Sequence, residues 1–365
     1  MERVDVAVVG AGVVGLAVAA EVARDDRTVV VLESHPRYGV ETSSRNSEVL
    51  HAGIYYPPES LKSRLCHEGR KRIYAMASEG RFPAKKLGKL IVAADAEEAG
   101  TLPPLKDRAE RSGAEGLRLL DGTEAGRRIP GLEVEAALWC PESGIVDSEG
   151  LMRHFCLRAT DAGVMFLFQN AVTGVETREG GYVLTFGKAG ETLLARAVVN
   201  AAGLHSDRLA AMAGIDVDAA GYRLHWCKGS YFRYRGTMSL RHLVYPVPAK
   251  HGLGIHLTPD QQGHVRLGPD TRFVDSLDYD VDPALRDAFA ASAGRYWPGL
   301  EAGDLICDTA GIRPKLSGPE GGFRDFVVAE ESGRGLPGWI DLIGIDSPGL
   351  TASPAIAGMV ARMIE

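Results

Sequence analysis

Val4-Asp5-Val6-Ala7-Val8-Val9-Gly10-Ala11-Gly12-Val13-Val14-Gly15 opens the chain, and its reading decides the fold. A short apolar run of buried-strand character leads into a G-x-G-x-x-G turn. Leu16 to Ala23 then reads as an Ala/Val-rich helix, and Thr28 to Leu32 as a second strand that ends at Glu33. Each part has a physical task. Gly10 permits the tight turn, Gly12 lets a pyrophosphate approach the backbone, and Gly15 lets the helix pack closely on the strand. The helix start at Val13 and Val14 presents free N–H groups and a positive dipole end to phosphate oxygens. Glu33 is placed to accept hydrogen bonds from a ribose, and its charge would repel a 2′-phosphate. Strand, turn, helix, strand and acid in this order predict a dinucleotide-binding unit.

At 365 residues the chain exceeds the usual single core, so two domains are expected. Its 45% hydrophobic and 24% charged content is that of an ordinary globular chain. A net charge of −7 without a basic run argues against nucleic acid as a partner. The five cysteines are odd in number and scattered and form no C-x-x-C, which argues against a disulfide framework and a zinc site. Charges and the first strand follow Met1 almost at once, so no signal peptide is expected and a cytoplasmic setting is. No apolar stretch reaches the roughly 18 residues a spanning helix needs. Peripheral contact with the inner face of a membrane is compatible with this composition.

Beyond Glu33, Ser34 to Pro58 reads as a long polar loop, and loops of that length are usually functional. Leu61 to Ala77 has helical periodicity, Leu87 to Ala93 that of a strand, and Ala96 to Ser112 that of a helix broken at Pro103-Pro104. Ser148 is the expected cap of a helix over Leu151 to Ala162. Val164 to Ala195 alternates like a meander, followed by an apolar strand, Ala197 to Gly203, and a helix, His205 to Ala213. Short alternating strands fill Tyr222 to Pro269. Trp339 to Ile345 and the small-residue helix Thr351 to Ile364, with Pro354 near its first turn, return to the opening style. The predicted fold class is α/β: a discontinuous Rossmann-like domain (1–85, 141–219 and 311–365) with an inserted α+β substrate domain (86–140 and 220–310) on a mostly antiparallel sheet.

Four features together resemble the FAD-dependent D-amino-acid oxidase/glycerol-3-phosphate dehydrogenase superfamily. They are the opening turn, Val198-Val199-Asn200-Ala201-Ala202-Gly203, Gly311-Ile312-Arg313-Pro314, and the closing strand with Pro348-Gly349. Within it, Ser43-Ser44-Arg45-Asn46-Ser47 running into His51-Ala52-Gly53-Ile54-Tyr55-Tyr56 resembles the L-2-hydroxyglutarate dehydrogenase/oxidase group. Lys228-Gly229-Ser230-Tyr231, Tyr245-Pro246-Val247-Pro248, Gly254-Ile255-His256 and Gly344 to Ser353 carry the same likeness. Ala52 and Asp346 depart from the group's usual Ser and Glu.

The resemblance implies FAD as cofactor. Ser34, Thr42, Ser43, Ser44, Gly53 and Ile54 would flank the flavin and its pyrophosphate, and Val172 would meet the adenine through its backbone. Ala201, Ala202 and Gly203 would leave room for the cofactor, beside Gly311. Backbone N–H groups after Pro348, at Gly349, Leu350 and Thr351, would face the negative charge that reduction builds at N1/O2 of the ring. His51 is the first candidate base for a hydroxyl proton and His256 the second, because a neutral imidazole has a suitable pKa. Arg313 would bind a substrate carboxylate in bidentate fashion. Tyr55 stands where the glycerol-phosphate enzymes carry an Arg, so it would assist the carboxylate, and Lys228 would meet a second one. The implied reaction is oxidation of a 2-hydroxy acid, foremost L-2-hydroxyglutarate, with a quinone or O2 as electron acceptor. An amino-acid or N-methyl amino-acid oxidase is the alternative enzyme, and a flavin-binding module without turnover the alternative of another class.

Overall fold

The computed structural model describes residues 1–238, 240–248 and 254–365. Its first sheet grows from the opening motif. Strand β1 (Glu2–Val9) pairs in parallel with β2 (Val29–Leu32) on one side and with the strand Glu191–Asn200 on the other. Trp339–Ile343 extends the parallel block beyond Asn200. Alternation along β1 divides two cores. Val6 and Val8 face helix α1 (Val13–Val22), the helix Ser148–Asp161 and the closing helix Gly349–Ile364. Ala7 and Val9 face the other side, with Leu184, Leu209 and Trp339. A sheet buried on both faces needs uninterrupted apolar strands, which is what β1 and β2 supply.

Glu191–Asn200 is one strand of ten residues where the sequence suggested two segments. Exposed Arg196 interrupts the apolar run without interrupting the pairing. The front half of this strand takes the antiparallel meander Val172–Arg178 and Gly181–Phe186, and its rear half takes Trp339–Ile343.

Among the described residues the second sheet has nine strands, antiparallel except where Leu243–Pro246 runs parallel to Lys89–Ala93. That single parallel pair joins the two inserted pieces. Leu305–Lys315 pairs antiparallel along His225–Tyr234, so the boundary expected at 310/311 falls inside a strand of this sheet.

Several local expectations shift for identifiable reasons. Asp147, not Ser148, caps the helix Ser148–Asp161 by accepting from Gly150 N, while the Ser148 hydroxyl donates to Glu48. The break before Leu102–Arg111 lies at Gly100-Thr101, and Pro103 and Pro104 sit in the first turn of that helix, where no N–H partner is lost. The closing helix begins at Gly349, which puts Pro354 in its interior. Ser353 Oγ donates to Leu350 O at 2.9 Å and so satisfies the carbonyl that Pro354 leaves without an N–H.

Asp341 lies in the fully buried strand Trp339–Ile343. Its Oδ1 accepts from Asn200 Nδ2 at 2.7 Å, its Oδ2 has no partner among the described residues, and burial pushes the carboxyl up to about 7. An acid whose folded pKa is raised loses stability as pH climbs from the unfolded value, about 3.9, to the folded one. Asp341→Asn keeps the acceptor and removes the charge. Its Tm should match wild type near pH 4, rise above it through pH 7, and hold a constant lead beyond; thermal melts across pH check this.

Candidate active site

One cavity lies at the strand ends of the first sheet and a second where the two sheets meet, and Thr42 lines both. The larger, about 460 Å³, is walled by Gly10, Gly12, Glu33, Ser34, Val172 and the strand end Ala201-Ala202-Gly203. At Gly10 (φ +106°) an added Cβ would stand 2.4 Å from Ala201 O, so the turn tolerates no side chain. Glu33 is nearly buried. Its Oε2 accepts from Ala11 N at 2.7 Å and its Oε1 from His35 N at 2.8 Å and Ser34 Oγ at 3.1 Å, which fixes the carboxylate and leaves one of its acceptor sites toward the cavity. No side chain caps α1 in the usual way; Val13 N donates to Ser43 Oγ from the neighbouring loop at 2.9 Å. Glycine backbone, an uncapped helix start and a fixed acid fit a ribose and pyrophosphate.

The smaller cavity, about 180 Å³, draws its walls from distant parts of the chain. Val13, Val14, Thr42, Ser43 and His51 come from the first domain, Gly229, Tyr231, Tyr245, His256, Gly311 and Arg313 from the second sheet, and Pro348, Gly349, Leu350 and Thr351 from the closing turn. The backbone fastens these pieces together. Thr42 Oγ1 donates to Ile312 O at 2.9 Å; Thr351 Oγ1 donates to Val49 O and accepts from His51 N, both at 3.2 Å. Gly311 exists for contact, since a Cβ there would lie 2.0 Å from Arg45 O.

Within this cavity His51 Nε2 meets Ser347 Oγ at 3.2 Å. Burial, with a smaller contribution from the Lys89 charge, pushes the imidazole down to about 3 and keeps it neutral. His256 stacks on Tyr245, centroids 3.5 Å apart and planes 8° from parallel. Arg313 is held by backbone carbonyls: Nε donates to Cys227 O, and Nη2 to Lys228 O and Asp270 O at 3.1 and 2.8 Å. Nη1 is without a hydrogen-bond partner among the described residues. Arg45 lies over the Tyr279 ring at 4.1 Å.

Six expected residues stand outside both cavities. Gly15 serves packing alone, because a Cβ would meet Gly10 O at 2.0 Å. Ser44 turns its hydroxyl to Val40 O and Glu41 O. Gly53 (φ +73°) backs onto the His67 ring, and Ile54 is core. Tyr55 is half-buried against the core around Ala52 and Ile54, with Lys89 over its ring, and its hydroxyl has no partner among the described residues. Lys228 faces away as well. It shares a register position with Ile312, whereas Gly229 pairs with Gly311 on the cavity face. Its Nζ is committed to Asp278 Oδ2 (2.8 Å) and Asp280 O (2.6 Å), which corrects its assignment to a second carboxylate. Strand alternation carried the missing signal: next to a small Gly229 in the cavity wall, Lys228 had to point the other way and Tyr231 the same way. Tyr231, whose hydroxyl meets Ser47 Oγ at 2.9 Å, Ser347 and Arg45 are the wall residues that were overlooked.

A family model described as FAD dependent oxidoreductase matches residues 5–363. The chain belongs to that family. The mitochondrial L-2-hydroxyglutarate dehydrogenase of Arabidopsis thaliana is 39% identical, over 99% of this chain and 83% of that protein. A glycerol 3-phosphate dehydrogenase of Caloramator mitchellensis is 27% identical, over 99% and 74%. Among solved structures, the L-α-glycerophosphate oxidase of Mycoplasma pneumoniae, dithionite-reduced with FAD bound, superposes with a TM-score of 0.89 at 27% identity, covering 100% of this chain and 95% of that one. The chain is an FAD-dependent oxidoreductase, and the residues lining the two cavities fit its cofactor.

Behind the closing turn of this flavoenzyme, Asp346 sits between Lys62 Nζ at 2.7 Å and Lys315 Nζ at 3.0 Å. Burial alone would raise the carboxyl, but the two ammonium groups outweigh it and hold it below the ordinary aspartate value. A depressed acid contributes stability above its unfolded pKa and loses it as pH falls through the folded one. Asp346→Asn leaves two cations facing each other and should cost about 3 kcal/mol of stability near pH 7. The deficit should narrow on acidification below pH 4, as followed by denaturant melts.

Proposed function

We propose that this flavoenzyme oxidises a 2-hydroxy acid, with L-2-hydroxyglutarate as substrate and 2-oxoglutarate as product. The observation that carries the reading is a neutral His51 opening onto the same small cavity as the carbonyl-anchored guanidinium of Arg313. An acid with a hydroxyl on Cα needs a cation for its carboxylate and an acceptor for its hydroxyl proton, at one place. The Arabidopsis thaliana relative named for L-2-hydroxyglutarate supports that choice of acid.

FAD, held by the residues that line the two cavities, would supply the two-electron acceptor for the Cα hydride. The chain supplies everything else. Arg313, with Nη1 unspent, orients the C1 carboxylate; its other nitrogens hold the strand backbone, so the charge is rigid rather than swinging. His51, fixed through Ser347 and the Thr351 hydroxyl, or His256, fixed on the Tyr245 ring, receives the hydroxyl proton. The turn Pro348 to Thr351 presents the start of the closing helix to the cavity, an arrangement that favours negative charge there. A quinone or O2 would be the final electron acceptor.

Mixing the purified yellow protein with candidate acids under anaerobic conditions tests the reading. L-2-hydroxyglutarate should bleach the flavin rapidly, and sarcosine and glycine should not. The reverse preference would assign an amino-acid oxidase, and no bleaching by any acid a module without turnover. The base among His51→Ala and His256→Ala should lose about 10²- to 10⁴-fold in the rate of bleaching. Arg313→Met should weaken apparent substrate affinity by about 30-fold, the loss of one charged hydrogen bond.

A further inference from the structure

Lys89 is a lysine with no solvent exposure, and its Nζ makes no hydrogen bond to any described residue. No carboxylate pairs with it among the described residues. It begins the strand Lys89–Ala93, every residue of which is buried. Its ammonium lies 4.2 Å from the centroid of the Tyr245 ring and 5.5 Å from that of Tyr55. Tyr245 belongs to the cavity wall and carries His256 stacked on it. One face of Tyr245 is thus taken by a cavity imidazole, and the ring also carries a buried cation.

We propose that Lys89 is an electrostatic positioning residue of the active site: an ammonium buried behind Tyr245, without a counter-ion among the described residues, which adds positive potential to the cavity for an anionic substrate. This rests on the reading that the substrate is a carboxylic acid. Two features exclude a purely architectural role. An isolated buried charge costs folding free energy, and an apolar side chain of the same length would fit this place better. Nor does any neighbour offset the charge. The titratable groups around Lys89 are the Cys66 and Cys140 thiols, the Tyr55 and Tyr245 phenols, and His51. Burial pushes both thiols up to about 12 and both phenols further still, so all four stay neutral at working pH. His51 is neutral as well. Two carboxylates line the cavity itself: Asp346 is offset by Lys62 and Lys315, and Glu48 is engaged by Ser148, so the field of Lys89 reaches the cavity through low dielectric with none of its own neighbours opposing it. It acts through Tyr245 and space, not by touching substrate.

The same burial lowers Lys89 itself, to about 8. A base with a depressed folded pKa destabilises the fold below that pKa, and the cost disappears as pH rises from about 8 to the unfolded value, about 10.4.

The test uses holoenzyme of wild type, Lys89→Met and Lys89→Gln, with glutarate and 2-oxoglutarate titrated against the flavin absorbance. Both variants should bind these dianions about tenfold more weakly at pH 7. Wild-type affinity should decline as pH passes through about 8, and the variants should be flat there. Lys89→Met should also melt above wild type at pH 7, with a lead that shrinks toward pH 10. Unchanged dianion affinity in Lys89→Met or Lys89→Gln overturns the inference. So does weaker binding together with a lower Tm for Lys89→Met at pH 7, which is the mark of a packing residue. If either variant fails to fold, a wild-type affinity that is level from pH 7 to 9 overturns it equally. Wild type that binds neither dianion defeats the 2-hydroxyglutarate reading instead, which keeps the two failures apart.

Discussion

The site exists because a buried carboxylate ties three separated parts of the chain together. Asp346 follows the last strand of the first sheet, Lys62 lies in the first turn of the helix Leu61–Ser78, and Lys315 ends the strand that carries Gly311 and Arg313. Ion pairs of this kind contribute little net stability against a well-packed apolar alternative. Their value here is positional. The closing turn, with Ser347 beside His51 and Gly349 at the start of the last helix, is set relative to the helix Leu61–Ser78 and the second sheet by these two bonds. Asp346 N, bonded to Gly344 O, and Gly349 N, bonded to Asp346 O, carry that placement into the turn itself.

Close backbone contacts do comparable work elsewhere. Gly10 against Ala201, Gly15 against Gly10, and Gly311 against Arg45 each bring main chain to main chain where any Cβ would collide. The first two shape the nucleotide cavity and the third joins the loop after Glu33 to the second sheet. A cofactor lying across both cavities would meet glycine backbone and small residues at Gly10, Gly12 and Ala201 to Gly203.

Much of this was legible from residue order. The opening strand, turn, helix and acid could be read directly, because each carries a local requirement: a glycine with positive φ, a glycine against a strand, an acid at a strand end. The position of Arg313 in the cavity wall agrees with its expected place before Pro314. What escaped was orientation set by pairing. Lys228 and Lys89 both lie on strands of the second sheet, and residue order alone does not tell which of them faces the cavity side. Lys228 was turned away from the cavity by its register against Ile312, and Lys89 was placed behind it by the parallel pairing of its strand with Leu243–Pro246. Neither pairing is local, so no neighbour in sequence reports it. The same limit hid the continuity of Glu191–Asn200 and the strand across the expected domain boundary.

The central claim is that one FAD spans the two cavities through Thr42, with its reactive ring between the closing turn and the sheet that bears Arg313. A crystal structure of the holoenzyme soaked with 2-oxoglutarate tests it most directly. The account predicts the ring within the smaller cavity, against Gly349 to Thr351, and a carboxylate of the ligand on Arg313. A ring seated elsewhere, or a ligand carboxylate held by Lys228 with Arg313 uninvolved, would contradict it.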